Sequence, residues 1–372
     1  MPLRVPVSRP DLGPLELANV QQAVTSTWIS SSGEFLRRLE DQLQAVTGTD
    51  HAVPVANGTV ALHLALAALD IGPGDEVIVP SLTYIATANA VRYTGAVPVF
   101  ADVDPDNWGL DASHVEALVT SRTRAIIAVH LYGHPADMPA LRTVADRHSL
   151  ALVEDAAEAP FATCHGRPVG SLGDVATFSF YGNKIISSGE GGAVTTNDAA
   201  LAARMRLLRG QGMDPDRRYY FPVVGFNYRM TNVAAAIACA QLDRAEGMLD
   251  SRHRVYRRYD EVVSGVPGLA RQPVAPWATI SPWLYPVIVE AGSATRDEAM
   301  RRLEERGVET RPFFIPIHRL PPYLDADGRV VADLPVTDRL SGQGMSLPTS
   351  SSLTDEEVDH VVAAVPASVE GL

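Results

Sequence analysis

Leu150-Ala151-Leu152-Val153-Glu154-Asp155-Ala156-Ala157-Glu158 is the stretch whose reading decides the fold. Its first half is an apolar run that reads as a buried strand, and the run stops on two carboxylates followed by a pair of alanines. The same grammar extends outward in both directions. Between residues 50 and 200, short β-branched runs alternate with amphipathic or Ala/Leu-rich segments, the signature of βαβ units and a mostly parallel sheet. Strands are expected at His51–Val55, Glu76–Pro80, Val97–Asp102, Ala125–Leu131, Leu150–Asp155, Val175–Tyr181 and Gly192–Thr196. Helices are expected at Gly58–Leu69, Tyr84–Tyr93, Ala112–Leu118, Met138–His148 and Ala199–Gly210. Asn232–Leu242 is apolar nearly all round and reads as a buried or interface helix.

Beyond this block the style changes. Arg252–Val262 is polar and Arg-rich, and from about residue 265 prolines become frequent. A strand at Pro286–Val289, a helix at Thr295–Arg306 and a last helix after the capping box Thr354-Asp355-Glu356-Glu357 suggest a smaller α/β unit. The expected division is a large domain over 1–250, with 1–30 as an N-terminal arm, and a small C-terminal domain over 251–372.

Bulk properties narrow the function. The formal charge is −13, which argues against a general nucleic-acid or anionic-membrane binder. Cys164 and Cys239 have no metal-like spacing and fit a reducing cytoplasm. Met1-Pro2-Leu3-Arg4-Val5-Pro6 lacks an apolar signal core, so a cytoplasmic protein is expected.

Lys184 is the only lysine in a chain with 31 Lys+Arg, and it lies in Ser179-Phe180-Tyr181-Gly182-Asn183-Lys184, just before Gly189-Glu190-Gly191-Gly192. An ε-amine can be desolvated, deprotonated and condensed with a carbonyl, which a guanidinium cannot. Ligands of open α/β sheets gather outside the carboxyl ends of the strands, and other unusual residues fall at such ends. Asn57-Gly58-Thr59 opens a helix and offers free N–H groups and a hydroxyl to a phosphate, although it also reads as an ordinary helix cap. Asp155 at a strand end would be poorly hydrated and would want a cationic partner such as a protonated pyridine nitrogen; it also reads as a helix N-cap. Ser179 supplies a second hydroxyl, or is simply satisfied by backbone, and Tyr84 supplies an aromatic face, or simple packing. Together these are the parts that pyridoxal 5′-phosphate (PLP) demands: an amine, a carboxylate, a stacking ring and phosphate donors.

Several long runs then carry a resemblance: Trp28-Ile29-Ser30-Ser31-Ser32-Gly33, Asn57-Gly58-Thr59, Pro80 through Ala90, Val153 through Ala159, the Lys184 segment with its GEGG run, and Phe226-Asn227-Tyr228-Arg229-Met230-Thr231-Asn232. Over nearly its full length the chain resembles the DegT/StrS family of PLP-dependent nucleotide-sugar aminotransferases. That resemblance implies an α/β fold of fold-type I, the aspartate aminotransferase-like architecture. It implies Lys184 as the lysine that bonds to the cofactor and shuttles protons, Asp155 on the ring nitrogen, and Tyr84 over the ring. Gly58, Thr59 and Ser179 would hold the phosphate, and Glu158 would lie near the ring hydroxyl, a position where many members carry His or Gln. Asn227 would reach the phosphate of a neighbouring subunit's cofactor, so a homodimer with shared active sites is expected. Lys rather than His at 184 separates the chain from the family's sugar dehydratases. The resemblance further implies L-glutamate as amino donor and a nucleotide-linked keto-6-deoxy sugar as acceptor. The runs His130 through Met138 and Phe221 through Gly225 favour GDP-4-keto-6-deoxymannose, with a GDP-3-keto or a dTDP- or UDP-keto sugar as the alternative. Arg229, Arg311 and His318 are candidate contacts for diphosphate or carboxylate, or else salt-bridge and core residues. A PLP-binding regulatory protein is the reading from a different class, disfavoured by the absence of a cationic excess to dock on DNA.

Overall fold

The structure is a computed structural model, and it describes residues 4–372. Its centre is a seven-stranded sheet built from β1 (His51–Val55), β2 (Glu76–Pro80), β3 (Val97–Ala101), β4 (Thr123–Val129) and β5 (Ala151–Asp155). After two short strands, β6 (Thr163–Cys164) and β7 (Arg167–Pro168), it is completed by β8 (Val175–Ser179) and β9 (Gly192–Thr196). The spatial order is β1-β9-β8-β5-β4-β2-β3. β9 alone runs against its neighbours, pairing antiparallel with β1 and β8, and the remaining pairs are parallel. The expectation of a mostly parallel sheet is therefore met.

The side-chain period of two explains why this sheet is sandwiched. Ala52, Ile126, Ala128, Leu152 and Phe178 enter one apolar cluster, whereas Val53, Val55, Ala125, Ile127 and Val153 enter another on the opposite face. Helices α1 (Pro14–Thr25), α2 (Glu34–Thr47), α3 (Gly58–Ala68), α4 (Ala86–Tyr93), α5 (Ala112–Leu118), α6 (Met138–His148), α7 (Ala199–Arg209) and α8 (Asn232–Asp243) surround it. α3, α4 and α7 supply the second cluster; α2, α6 and α8 supply the first.

Between residues 14 and 47 the chain forms two packed helices rather than an extended arm. α1 packs on α8 through Asn19 Nδ2, which donates to the Ala236 carbonyl at 3.1 Å. Asn232 at the start of α8 ties the N-terminal segment down: its Oδ1 accepts the Phe35 N–H at 3.1 Å and its Nδ2 donates to the Trp28 carbonyl at 2.7 Å.

α9 (Ala245–Val263) runs through residue 250, so the expected boundary falls inside one helix. Beyond it, β10 (Leu269–Arg271), β12 (Tyr285–Val289), β13 (Arg311–Pro312) and β14 (Gly344–Leu347) make a four-stranded antiparallel sheet in the order β10-β12-β14-β13, while β11 (Ala278–Thr279) pairs with β6 of the first unit. With α10 (Ser293–Glu305), α11 (Pro335–Gln343) and α12 (Asp355–Val369) this forms the smaller α/β unit, which has a third apolar cluster of its own. Thr354 caps α12 as expected, its hydroxyl accepting the Glu357 N–H while the Glu357 carboxylate accepts the Thr354 N–H.

Two element ends differ from expectation for a reason that shapes the site. β4 stops at Val129 because Leu131-Tyr132-Gly133 turns away as a 3-10 segment with Tyr132 at φ 53°. α4 begins at Ala86 rather than Tyr84, leaving Ser81–Ile85 as a loop at the end of β2.

Candidate active site

A cavity of about 680 Å³ lies beyond the carboxyl ends of β1, β2, β5 and β8. Gly58, Thr59, Tyr84, Asp155, Glu158, Ser179 and Lys184 all line it. Residues far apart in sequence are thus brought to one place.

Lys184 sits on the loop that follows β8. That loop is closed on itself by Phe180 N–H donating to Gly191 O and Ser188 N–H donating to Phe180 O, both at 2.8 Å. Its Nζ is 3.8 Å from Glu158 Oε1 and stands over the Trp283 ring. Burial lowers the amine's pKa, while the nearby Glu158 and Asp155 carboxylates oppose that shift. The result is an amine whose neutral, nucleophilic form is easier to reach than that of a surface lysine.

Asp155 ends β5 and is 6% exposed. Its Oδ2 accepts the Thr87 hydroxyl at 2.8 Å and its Oδ1 accepts the Ala157 N–H at 3.2 Å. Burial raises its pKa against those two hydrogen bonds. Among the described residues no Arg, Lys or His forms an ion pair with it, which leaves the carboxylate short of the cation its surroundings call for. Its neighbour Glu154 is the contrast. Pointing to the other face of the strand, Glu154 accepts from His130 Nε2 at 3.0 Å and from the N–H groups of Gly170, Leu172 and Gly173. Burial works to raise its pKa, but those donors more than offset it and the pKa falls. One carboxylate is sealed into the scaffold and the next is left open to a ligand.

Glu158 is buried, accepts the Tyr132 N–H at 2.9 Å, and has its pKa raised by burial to about 7 against the pull of Lys184. The left-handed turn at Tyr132 is what aims this N–H at the carboxylate.

The phosphate donors also assemble. Asn57 caps α3, its Oδ1 accepting the Val60 N–H at 3.0 Å, so the amides of Gly58 and Thr59 occupy the first turn, where no intrahelical acceptor exists. A Cβ on Gly58 would come within 2.8 Å of Ser179 Cβ, so the two strand ends approach closely only because residue 58 is glycine. A helix N-terminus, two hydroxyls and that gap form a cradle for a dianionic phosphate. The open carboxylate, the desolvated amine and this cradle fit PLP.

Three candidates lie elsewhere. Asn227 is exposed, accepts from Arg229 Nε at 3.2 Å and Nη2 at 3.0 Å, and neither residue lines the cavity of its own chain. His318, expected as a substrate contact, does not line the cavity either. It is 0% exposed; its main-chain N–H donates to Ser81 Oγ at 3.0 Å, and its Nδ1 lies 2.7 Å from that same oxygen. His318 therefore pins the loop that presents Tyr84, whose ring is 60% exposed at the cavity mouth and meets Phe314 edge-on.

Tyr132, Trp283 and Phe314 complete the walls without having been expected there. A left-handed tyrosine and contacts from the second unit leave no period in the sequence. Thr87 did leave a signal, as the hydroxyl four residues after Thr83 within the Pro80–Ala90 run. Arg311, on β13, is the arginine that the structure does bring to the cavity.

An α/β sheet holding a desolvated lysine, an open buried carboxylate and a phosphate cradle at its strand ends defines a PLP-dependent enzyme of the aminotransferase type. Residues 10–366 match the DegT/DnrJ/EryC1/StrS aminotransferase family, and the chain belongs to that family. It is 50% identical over 364 residues to the GDP-perosamine synthase of Caulobacter vibrioides, covering 97% of each chain. A putative sugar aminotransferase from Streptococcus pneumoniae, Spr1654 in its PLP form, superimposes with a TM-score of 0.94 at 28% identity, over 99% of each chain. DesI with its TDP-sugar product superimposes with a TM-score of 0.91 at 37% identity, over 99% of this chain and 94% of that one. The protein is a PLP-dependent sugar aminotransferase. No helix among the described residues is long and apolar enough to cross a membrane.

Proposed function

We propose that the enzyme moves the amino group of L-glutamate to carbon 4 of GDP-4-keto-6-deoxymannose, giving GDP-perosamine. The observation that carries the sugar assignment is the 50% identity to a GDP-perosamine synthase over 97% of both chains. The observation that carries the chemistry is that the chain's one lysine lines the same cavity as Asp155, 3.8 Å from Glu158. Bound PLP supplies an aldehyde to which amines bond and a protonated ring that withdraws electrons. Lys184 Nζ takes the proton from the donor's α-carbon and delivers one to the carbon that becomes aminated in the acceptor. Asp155 keeps the ring nitrogen protonated, and Thr87 keeps Asp155 in place. The Gly58 and Thr59 amides and the Ser179 hydroxyl hold the phosphate, Tyr84 covers the ring, and Glu158 sets the protonation of the ring hydroxyl. Arg311 binds a carboxylate of glutamate or the diphosphate of the sugar nucleotide.

Catalysis falls to residues 1–250, while 251–372 close the cavity. The hydrogen-bonded pair Asn227 and Arg229 serves the site of a second copy in a homodimer. The experiment that tests the reading assays the purified enzyme with L-glutamate against GDP-, dTDP- and UDP-4-keto-6-deoxy sugars. Amination of the GDP sugar at carbon 4 is expected. Faster turnover of the dTDP or UDP sugar, or amination at carbon 3, would replace it.

A further inference from the structure

Trp283 enters the site from a segment that the chemistry above does not use. It lies between β11 and β12 and is 3% exposed. Its Nε1–H donates to the carbonyl of Asn183, the residue before Lys184, at 2.7 Å. The face of the same ring lies 4.0 Å from the Lys184 Nζ. One indole therefore holds the lysine at two points, the backbone that carries it and the amine at its tip.

The ring is itself fixed. It stacks on Tyr132 with centroids 6.2 Å apart and planes 17° from parallel. Its main chain is held by Arg252 of α9, whose Nη1 donates to the Trp283 carbonyl at 2.9 Å and to the Pro282 carbonyl at 3.3 Å. Arg252 is buried, and among the described residues its guanidinium forms no ion pair; its Nη1 donates to carbonyls, the third being Thr349 at 3.4 Å, while its Nε has no partner.

The titratable groups around Nζ come from three other elements. Glu158 and Asp155, at and beyond the end of β5, favour the ammonium, and Arg311 on β13 disfavours it. On the turn after β4, burial and then the Glu158 carboxylate raise the pKa of the Tyr132 phenol well above its ordinary value, so it stays neutral. To this set Trp283 adds attraction without net charge, since a cation over an indole face is stabilised by the ring quadrupole, most where water is excluded. Such a seat holds the ammonium while leaving it 3.8 Å from Glu158, beyond a tight hydrogen bond from which it would have to be pulled.

We propose that Trp283 is a positioning residue for Lys184: its indole face seats the lysine ammonium whenever that amine is not bonded to the cofactor, and its N–H fixes the Asn183 carbonyl so that Nζ returns to one place. This rests on Lys184 being the cofactor lysine.

The sole lysine makes the test direct. Protein grown with lysine carrying 13C at Cε has a single labelled side chain, and its chemical shift reports the protonation of Nζ. The full chain is saturated with pyridoxamine 5′-phosphate, which leaves the lysine amine free, and is titrated as wild type, Trp283→Leu and Trp283→Phe. Trp283→Leu is expected to lower the lysine pKa by roughly 0.5 to 1 pH unit, about a three- to tenfold loss of proton affinity, and to abolish the ring-current displacement of the Cε signal. Trp283→Phe keeps a π face and loses the N–H, so it shifts the pKa less and retains part of the displacement. Thermal melting identifies folded variants, and Trp283→Phe carries the test if the leucine variant does not fold. Titrations that coincide with wild type, with the Cε shift unmoved, would overturn the proposal. The Lys184 reading fails separately: wild type loaded with pyridoxal phosphate would then lack a borohydride-reducible visible band.

Discussion

Lys184 stood out in the sequence because no other lysine accompanies it, and the structure gives that oddity a physical setting of burial, two carboxylates and an indole. Replacing it by arginine keeps a cation but removes the amine. Lys184→Arg is expected to fold normally and to lose more than about 10³-fold in kcat, measured with L-glutamate and the GDP keto sugar; near-normal turnover would refute the mechanism. Glu158 yields a prediction with a sign. Its pKa is about 7 in the folded chain against 4.5 for an ordinary glutamate, so the folded state binds the proton more tightly. The contribution to stability is present in full below pH 4.5, falls as pH rises, and is lost above 7. Glu158→Gln removes this dependence. The melting temperature of the variant relative to wild type, both without cofactor, should rise between pH 4.5 and 7 and level off above; a difference constant with pH would contradict it. At this scale, which residues meet at the cavity was legible for all the candidates but Asn227, Arg229 and His318. Asp155 was readable because a carboxylate ending an apolar strand is costly without a partner. His318 was not, because a buried histidine holding a loop and a histidine touching substrate look alike in one sequence.

Among the elements, the strands were the most legible, since both sheet faces are covered and each strand carries apolar or small residues on both faces. β1, β2 and β9 have the expected ends. Misplaced ends lie where tertiary contacts outrank local propensity: the Tyr132 turn is fixed by Glu158 accepting its N–H, and the Ser81–Ile85 loop by His318. α1 and α2 had no counterpart in the sequence reading; both pack on α8, and α2 also packs on the sheet. The junction of β1, α3 and β8 carries a test. Gly58→Ala would push a methyl to within 2.8 Å of Ser179 Cβ and spread the phosphate cradle. A loss of at least roughly tenfold in PLP affinity is expected, read by absorbance titration with the circular dichroism of the fold unchanged. Unaltered affinity would show that the phosphate binds elsewhere.

Across the whole molecule, two groups of exposed apolar residues lie away from the cavity of their own chain. Trp28, Ile29 and Leu17 are exposed near α1, and Tyr219, Phe221 and Val224 on the loop between α7 and α8. The loop precedes Asn227 and Arg229, which fits a surface that meets a second copy. Light scattering should then give twice the chain's 39.9 kDa. Mixing inactive Lys184→Arg with an Asn227→Asp variant weakened in cofactor binding should restore up to about a quarter of wild-type activity, because half the dimers are mixed and each has one intact site. No restoration would place Asn227 in its own subunit's site or in none.

The central claim is that one amine, at Lys184, does the chemistry. Borohydride reduction of the PLP-loaded enzyme followed by peptide mass mapping tests it most directly. The account requires a single pyridoxyl adduct on the peptide containing Tyr181-Gly182-Asn183-Lys184, lost in Lys184→Arg. An adduct at any other amine, or none from a protein that still transfers amino groups, would contradict it.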